Sequence, residues 1–225
     1  MTSESYIFLA GSSRGVGREI ANRLIAQNKK VKALLRTEAT KGELETMGIN
    51  IVFGDALNVA EVESSMLGDE PIHAVISTIG GLPKDGERAD YLGNKNLIDA
   101  AVKANVKKFI LVSSIGSGNT AGAIPPQALE TLRPVLLEKE KAEQHLIASG
   151  LTYTIIRPGG LKSEAATGNG ILTEDPQVAG TIHRADVADL VCRCLESSCA
   201  NNKVLSAIDR NMMYGQPDFE EFNLI

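Results

Sequence analysis

The chain has 225 residues, a formal net charge of −5, a pI near 5.3, 4 % aromatic residues and no tryptophan. This acidic, aromatic-poor composition excludes a basic nucleic-acid surface and base-stacking platforms, and the length suits one α/β domain with a sizeable core over residues 1–225. No apolar run is long enough for membrane insertion, and the polar segment 1–5 carries no signal-peptide pattern, so a cytoplasmic location is expected.

The first element is the apolar strand 7–10. It runs into Gly11-Ser12-Ser13-Arg14-Gly15-Val16-Gly17 and then into apolar residues at helical spacing. Gly11 permits a tight turn, Gly15 leaves room for a phosphate at the backbone, and Gly17 lets the helix lie close to the strand. Ser13, Arg14 and Val16 share that turn, whose helix start offers N–H groups to a pyrophosphate. The next apolar run, Val31–Leu35, completes a βαβ unit. An acid that selects NAD through its ribose is usual after this strand, but Arg36 stands there. Together with Arg14 it favours the 2′-phosphate of NADP; the plainer reading is a solvated loop cation.

Strand three is expected over 48–53 and ends in Gly54-Asp55-Ala56. Asp55 either accepts from an adenine amino group or simply closes the turn. A helix over 59–67 leads to strand Ile72–Ser77, whose end, Thr78-Ile79-Gly80-Gly81, is small enough for a cofactor to cross. A helix over 91–104 leads to strand Lys108–Val112 and Ser113-Ser114. Residues 116–134, rich in Gly and Pro, are expected as a loop, followed by a helix over 138–149 that Gly150 stops. Strand 152–156 ends in Arg157-Pro158-Gly159-Gly160-Leu161. Gly168-Asn169-Gly170 suggests a mobile lid. A helix over 185–195 and a strand over 204–208 complete the pattern. Alternating strands and helices of this kind indicate a Rossmann-type doubly wound parallel sheet with helices on both faces, which binds ligands at the carboxyl ends of its strands.

Cys192, Cys194 and Cys199 form no C-x-x-C pair, so neither zinc nor a disulfide framework is expected. Cys192 and Cys194, two apart on a helix, should point to different faces, and the cysteines should pack on the sheet. His183 either lines a pocket or packs at a helix start, where Asp186 would complement the helix dipole.

The glycine turn resembles the short-chain dehydrogenase/reductase superfamily. So do Gly54-Asp55, Gly93-Asn94 with Asn96 to Ala101, Lys108-Phe109 with Leu111 to Ser114, Glu138-Lys139 with Lys141-Ala142-Glu143, 153–161 and 184–188. Within it the chain is similar to the atypical NAD(P)H-binding branch, which includes NmrA-like proteins and biliverdin-IXβ and flavin reductases. Its glycine spacing is that of conventional members, since Arg14 stands where the branch has glycine. The resemblance implies NADP as cofactor, with Ser114 and Lys139 matching the catalytic Ser and Lys. The position of the usual proton-donating Tyr falls on Val135. Chemistry without that acid suits a small-molecule substrate such as a flavin, quinone or tetrapyrrole, to which hydride passes while solvent supplies the proton. Gly159-Gly160 replaces a His of the biliverdin/flavin reductases, so acceptor recognition differs. The alternative is a non-catalytic NADP sensor; a sugar-nucleotide epimerase would lack both Tyr and room for a substrate domain.

Overall fold

The computed structural model describes residues 5–68, 70–80, 88–215 and 218–225. Gly81 and nearly all of segment 1–5 lie outside the described residues. The strands are β1 (Tyr6–Ala10), β2 (Val31–Leu35), β3 (Asn50–Phe53), β4 (Ile72–Ser77), β5 (Lys108–Val112), β6 (Tyr153–Pro158), β7 (Gly160–Lys162), β8 (Gly170–Thr173), β9 (Thr181–His183) and β10 (Lys203–Asp209). The helices are α1 (Gly15–Ala26), α2 (Lys41–Thr46), α3 (Val59–Met66), α4 (Leu92–Lys103), α5 (Pro126–Ala148) and α6 (Arg184–Glu196).

The main sheet runs β3-β2-β1-β4-β5-β6-β10-β8. It is parallel except for β8, which pairs antiparallel with β10. Alternate residues of each central strand serve opposite faces. Ile7 and Leu9 of β1, Ala74 and Ile76 of β4 and Ile110 of β5 join one core with α1 and α6. Phe8, Val75 and Phe109, one residue out of step, join a second core with α3, α4 and α5. Period-two patterning between two helical layers thus makes the strands read as continuous apolar runs.

Helices α1 and α4 end alike. Asn28 (φ 57°) and Asn105 (φ 52°) adopt the left-handed conformation, and the next N–H, of Lys29 or Val106, donates back to Leu24 O or Ala101 O. Asparagine here fills the role more often taken by glycine, closing each helix so that the chain can enter the next strand.

The expected loop 116–134 is corrected by the structure. A short 3₁₀ turn occupies Gly118–Ala123, and α5 starts at Pro126, so Pro134 lies inside it. Pro126 suits a helix start because its missing N–H has no partner there anyway. Pro134 deprives the Glu130 carbonyl of a donor, yet the helix continues because Leu136, Ala142 and Leu146 downstream are buried. Gly150 (φ +81°) follows the helix end as expected.

Residues 168–170 are not arranged as a free lid. Thr167 N and Gly168 N donate to the Asp186 carboxylate at 2.9 Å each, Arg210 N donates to Asn169 O, and Gly170 pairs with Asp209. Short strands β7 and β9 pair parallel beside this segment. They escape detection by periodicity because three residues are too few to show a period.

The packing expected of the cysteines holds for Cys192 and Cys194 and is corrected at Cys199. Cys192 and Cys194 both enter the α1/α6 core, because α6 packs on both the sheet and α1 and so buries a broad face. Burial pushes their thiols up to about 11 and about 12. Cys199 is exposed.

At the amino ends of the strands, two buried lysines are satisfied. Lys32 Nζ lies 2.5 Å from Glu70, and Lys108 Nζ donates to Cys194 O (2.6 Å) and Ser197 O (2.9 Å) at the end of α6. Burial pulls the Lys108 ammonium below its usual value.

Candidate cofactor site

Strand order reverses between β1 and β4, and a doubly wound sheet opens a crevice where their carboxyl ends part. Gly11 and Thr78 face each other there. Thr78 Oγ1 lies 3.2 Å from Ala10 O and 3.3 Å from Gly11 O. A methyl group built on Gly11 (φ +97°) would fall 2.3 Å from Thr78 Oγ1, and one on Gly17 would fall 2.1 Å from Gly11 O. Both glycines are therefore required by the contact of α1 with the strand ends. Gly15 (φ +59°) is different: its side-chain position is open except for Arg184, 3.7 Å away at Nε.

Arg18 braces the turn from behind, with Nε donating to Ser12 O (3.1 Å), Nη2 to Ser13 O and Nη1 to Glu43. Val16 is turned into the core. No acidic side chain stands in the first turn of α1, which leaves its positive end uncompensated. Ser13 and Arg14 are exposed, and Ser12 Oγ is buried without a hydrogen-bond partner. The outward N–H groups, the orphaned hydroxyl and the open space at Gly15 fit the pyrophosphate of a dinucleotide. Arg36 is exposed at the end of β2, and neither it nor Arg14 has an ion-pair partner among the described residues.

At the end of β3, Asp55 builds its own turn: Oδ1 accepts from Leu57 N (2.9 Å), and its N–H donates to Glu61. Ala56 O accepts from Asn96 of α4 (2.9 Å), and Ile79 lies against Gly93 of the same helix. Asn94, buried on α4, bonds Ser77 Oγ (2.6 Å) and Asp90 O (2.8 Å) and fixes the β4 end.

Lys139 reaches the same corner from α5. Its Nζ is 3.3 Å from Oδ1 of fully buried Asp90, whose other oxygen is 3.4 Å from Arg88 Nε. A methyl group on Gly80 would fall 2.5 Å from Asp90 Oδ1 and 3.1 Å from Lys139 Nζ, so Gly80 lets the lysine approach the backbone. The structure thus brings together Thr78, Ile79, Gly80 and Lys139. Val135 precedes Lys139 by one helical turn on α5 and offers no proton.

Ser113 and Ser114 diverge. Ser113 Oγ donates to Glu143, which is buried and paired with Arg157; Ser114 Oγ donates to Ile115 O (2.9 Å) and is half-buried. At the end of β6, Pro158 O accepts from Ile115 N, and Gly160 N donates to Gly180 O. A methyl group on Gly159 would fall 2.2 Å from Gly180 O, and Leu161 is exposed beside it.

His183, Asp186 and Asp209 cluster with their ligand-type atoms within 4.8 Å of one another. Their carboxylates are already engaged: Asp186 accepts from Thr167 N, Thr167 Oγ1 and Gly168 N, and Asp209 from Asn211 N and Thr167 Oγ1. This set anchors the 167–170 segment. Asp186 stands in the first turn of α6, where it complements the helix dipole, and it also holds the preceding loop.

The site has the form of a dinucleotide-binding site of the short-chain dehydrogenase/reductase type. A family model described as NAD(P)H-binding matches residues 11–198, and the chain belongs to that atypical short-chain dehydrogenase/reductase family. The chain is 31 % identical to sanguinarine reductase of Eschscholzia californica, covering 88 % of this chain and 86 % of that protein. It is 32 % identical to an uncharacterized sugar epimerase of Bacillus subtilis, covering 88 % and 91 %. Among solved structures, ChuY, an anaerobilin reductase of Escherichia coli O157:H7, superposes with a TM-score of 0.84 at 30 % identity, covering 95 % of this chain and all of that one. Among the described residues, no helix is long and apolar enough to cross a membrane.

Proposed function

We propose that this chain is an NADP(H)-dependent reductase that delivers hydride to a flat, conjugated acceptor of the flavin, quinone or biliverdin-like tetrapyrrole kind. The observation that carries this reading is on α5: Lys139 is held at the Gly80 corner, while Val135 occupies the place of a proton donor one turn earlier. Alcohol–ketone chemistry needs an acid at the developing alkoxide; a conjugated acceptor can take its proton from water. Two relatives with named activities are reductases, which supports the same reading.

In this reading the turn of Gly11, Ser13, Gly15, Val16 and Gly17 holds the pyrophosphate through backbone N–H groups. Arg14 and Arg36 meet the 2′-phosphate, and Asp55 and Ala56 border the adenine. Thr78, Ile79 and Gly80 let the dinucleotide cross the sheet edge, Lys139 holds the ribose hydroxyls, and Ser113, Pro158, Gly159, Gly160 and Leu161 border the nicotinamide. Ser114 orients the acceptor. When bound, the cofactor would supply the hydride of a two-electron reduction, with the accompanying proton drawn from water.

The test is NADPH oxidation, followed by absorbance, with panels of flavins, quinones and linear tetrapyrroles. Turnover with one class is expected. Tight NADPH binding without turnover on any panel would instead make the chain a cofactor-responsive sensor.

A further inference from the structure

Arg184 opens α6, and its guanidinium lies across the glycine turn. The Nη1 group donates to Ser163 Oγ (2.6 Å) and reaches Leu161 O at 3.5 Å. A guanidinium carries five N–H donors, with Nε and Nη2 forming a fork suited to two oxygens of one phosphate. Among the described residues, that Nε–Nη2 edge makes no hydrogen bond. It is also the edge nearest the turn, since Nε is the atom closest to the open side-chain position of Gly15.

The placement is prepared by the fold. Arg184 follows directly on β9, which pairs with β7 through Leu161↔Ile182 and Lys162↔His183. The backbone at Arg184 is therefore fixed beside β7, and Ser163 holds the side chain extended. Unlike exposed Arg14 and Arg36, Arg184 loses little side-chain freedom on meeting an anion.

Building on the cofactor reading above, we propose that Arg184 clamps the dinucleotide pyrophosphate with its Nε–Nη2 fork and, through Leu161 and Ser163, couples cofactor occupancy to the β7 segment. The segment assigned to the nicotinamide border would then be set when the cofactor is in place. The pyrophosphate is common to NADPH and NADH, so Arg184 contributes to both. It is a binding and positioning residue that leaves the choice between the two to Arg14 and Arg36.

The test measures dissociation constants of wild type, R184Q and R184K for NADPH, NADH and 2′-AMP, which has the 2′-phosphate and no pyrophosphate. Hydrogen exchange across residues 160–163 is followed with and without NADPH. The expected result is a loss of about tenfold or more in R184Q, equal for NADPH and NADH, with 2′-AMP affinity unchanged and an intermediate loss in R184K; tenfold corresponds to about 1.4 kcal/mol. NADPH should slow exchange at 160–163 in wild type and not in R184Q. Affinity for NADPH within twofold of wild type in R184Q would overturn the clamp, as would an equal loss for 2′-AMP, which would mark general damage to the site. Wild type that binds 2′-AMP, NADPH and NADH not at all would overturn the cofactor reading itself.

Discussion

Glu143 on α5 and Arg157 in β6 form a buried two-point ion pair, with Arg157 Nε 3.0 Å from Oε1 and Nη2 2.6 Å from Oε2. Asn119 takes the remaining Nη1 at 2.6 Å, and Ser113 donates to the same carboxylate. Glu143 is one turn beyond Lys139, and Arg157 immediately precedes Pro158-Gly159. The pair therefore fixes the lysine-bearing helix against the strand that ends in Pro158. Replacing Arg157 by Met would leave a buried carboxylate uncompensated and should cost about 3–5 kcal/mol in urea unfolding. R157M/E143L, which removes both charges, should regain most of that loss.

The glycine turn tolerates no side chain at its helix contact. Gly17→Ala would bring a methyl group to 2.1 Å from Gly11 O and 2.6 Å from Thr78 Oγ1, and backbone must yield. The expected cost is about 1–3 kcal/mol of stability. NADPH and NADH affinity should fall together, read by fluorescence titration, because α1 would be displaced from the strand ends.

On the proposed reading, cofactor selection should separate from cofactor binding. Arg36→Ala should weaken NADPH by about tenfold, or roughly 1.4 kcal/mol, and leave NADH nearly unchanged. Equal losses for both would remove Arg36 from the 2′-phosphate. Folding stability should not change, since Arg36 is exposed and makes no ion pair among the described residues.

The thiols give a pH-dependent prediction. At pH 8, a chromogenic disulfide reagent should titrate Cys199 in the native protein and all three cysteines in urea. Cys192 and Cys194, raised from 9.0 to about 11 and about 12 by burial, keep their protons in the folded chain after the unfolded chain has lost them. The unfolded state then binds fewer protons, so their contribution to stability is full below 9 and is lost as pH rises through the folded values. Stability should fall more steeply between pH 9 and 11 in wild type than in C192A/C194A.

Much of this fold was legible because its strands and helices are spaced by the two layers they serve. Runs such as Phe8-Leu9-Ala10 and Phe109-Ile110-Leu111 are apolar throughout because both faces are covered, and the glycine turn sits where β1 must release the chain to α1. The extent of α5 was not legible: Pro134 and the glycines before it carry a local signal for loop, while burial of Leu136, Ala142 and Leu146 decides for helix. The tight helix–strand contact was legible where one residue type at one spacing meets a steric demand, as at Gly11 and Gly17. The candidate site was hidden where partners come from distant elements. Nothing local marks Asp90 as the partner of Lys139, Glu143 as that of Ser113, or Arg184 as a neighbour of Gly15, 169 residues earlier in the chain.

The two edges of the sheet treat their cations differently. Lys32 and Lys108 at the amino ends are consumed by Glu70 and by the carbonyls that close α6. Arg14 and Arg36 at the carboxyl ends remain uncommitted among the described residues. In a molecule of net charge −5, an anionic dinucleotide bound as proposed would meet two uncommitted arginines at one rim, which should orient encounters before contact forms. Association should slow as salt shortens the reach of that rim to the Debye length, about 8 Å at physiological ionic strength, while the glycine turn itself is unaltered.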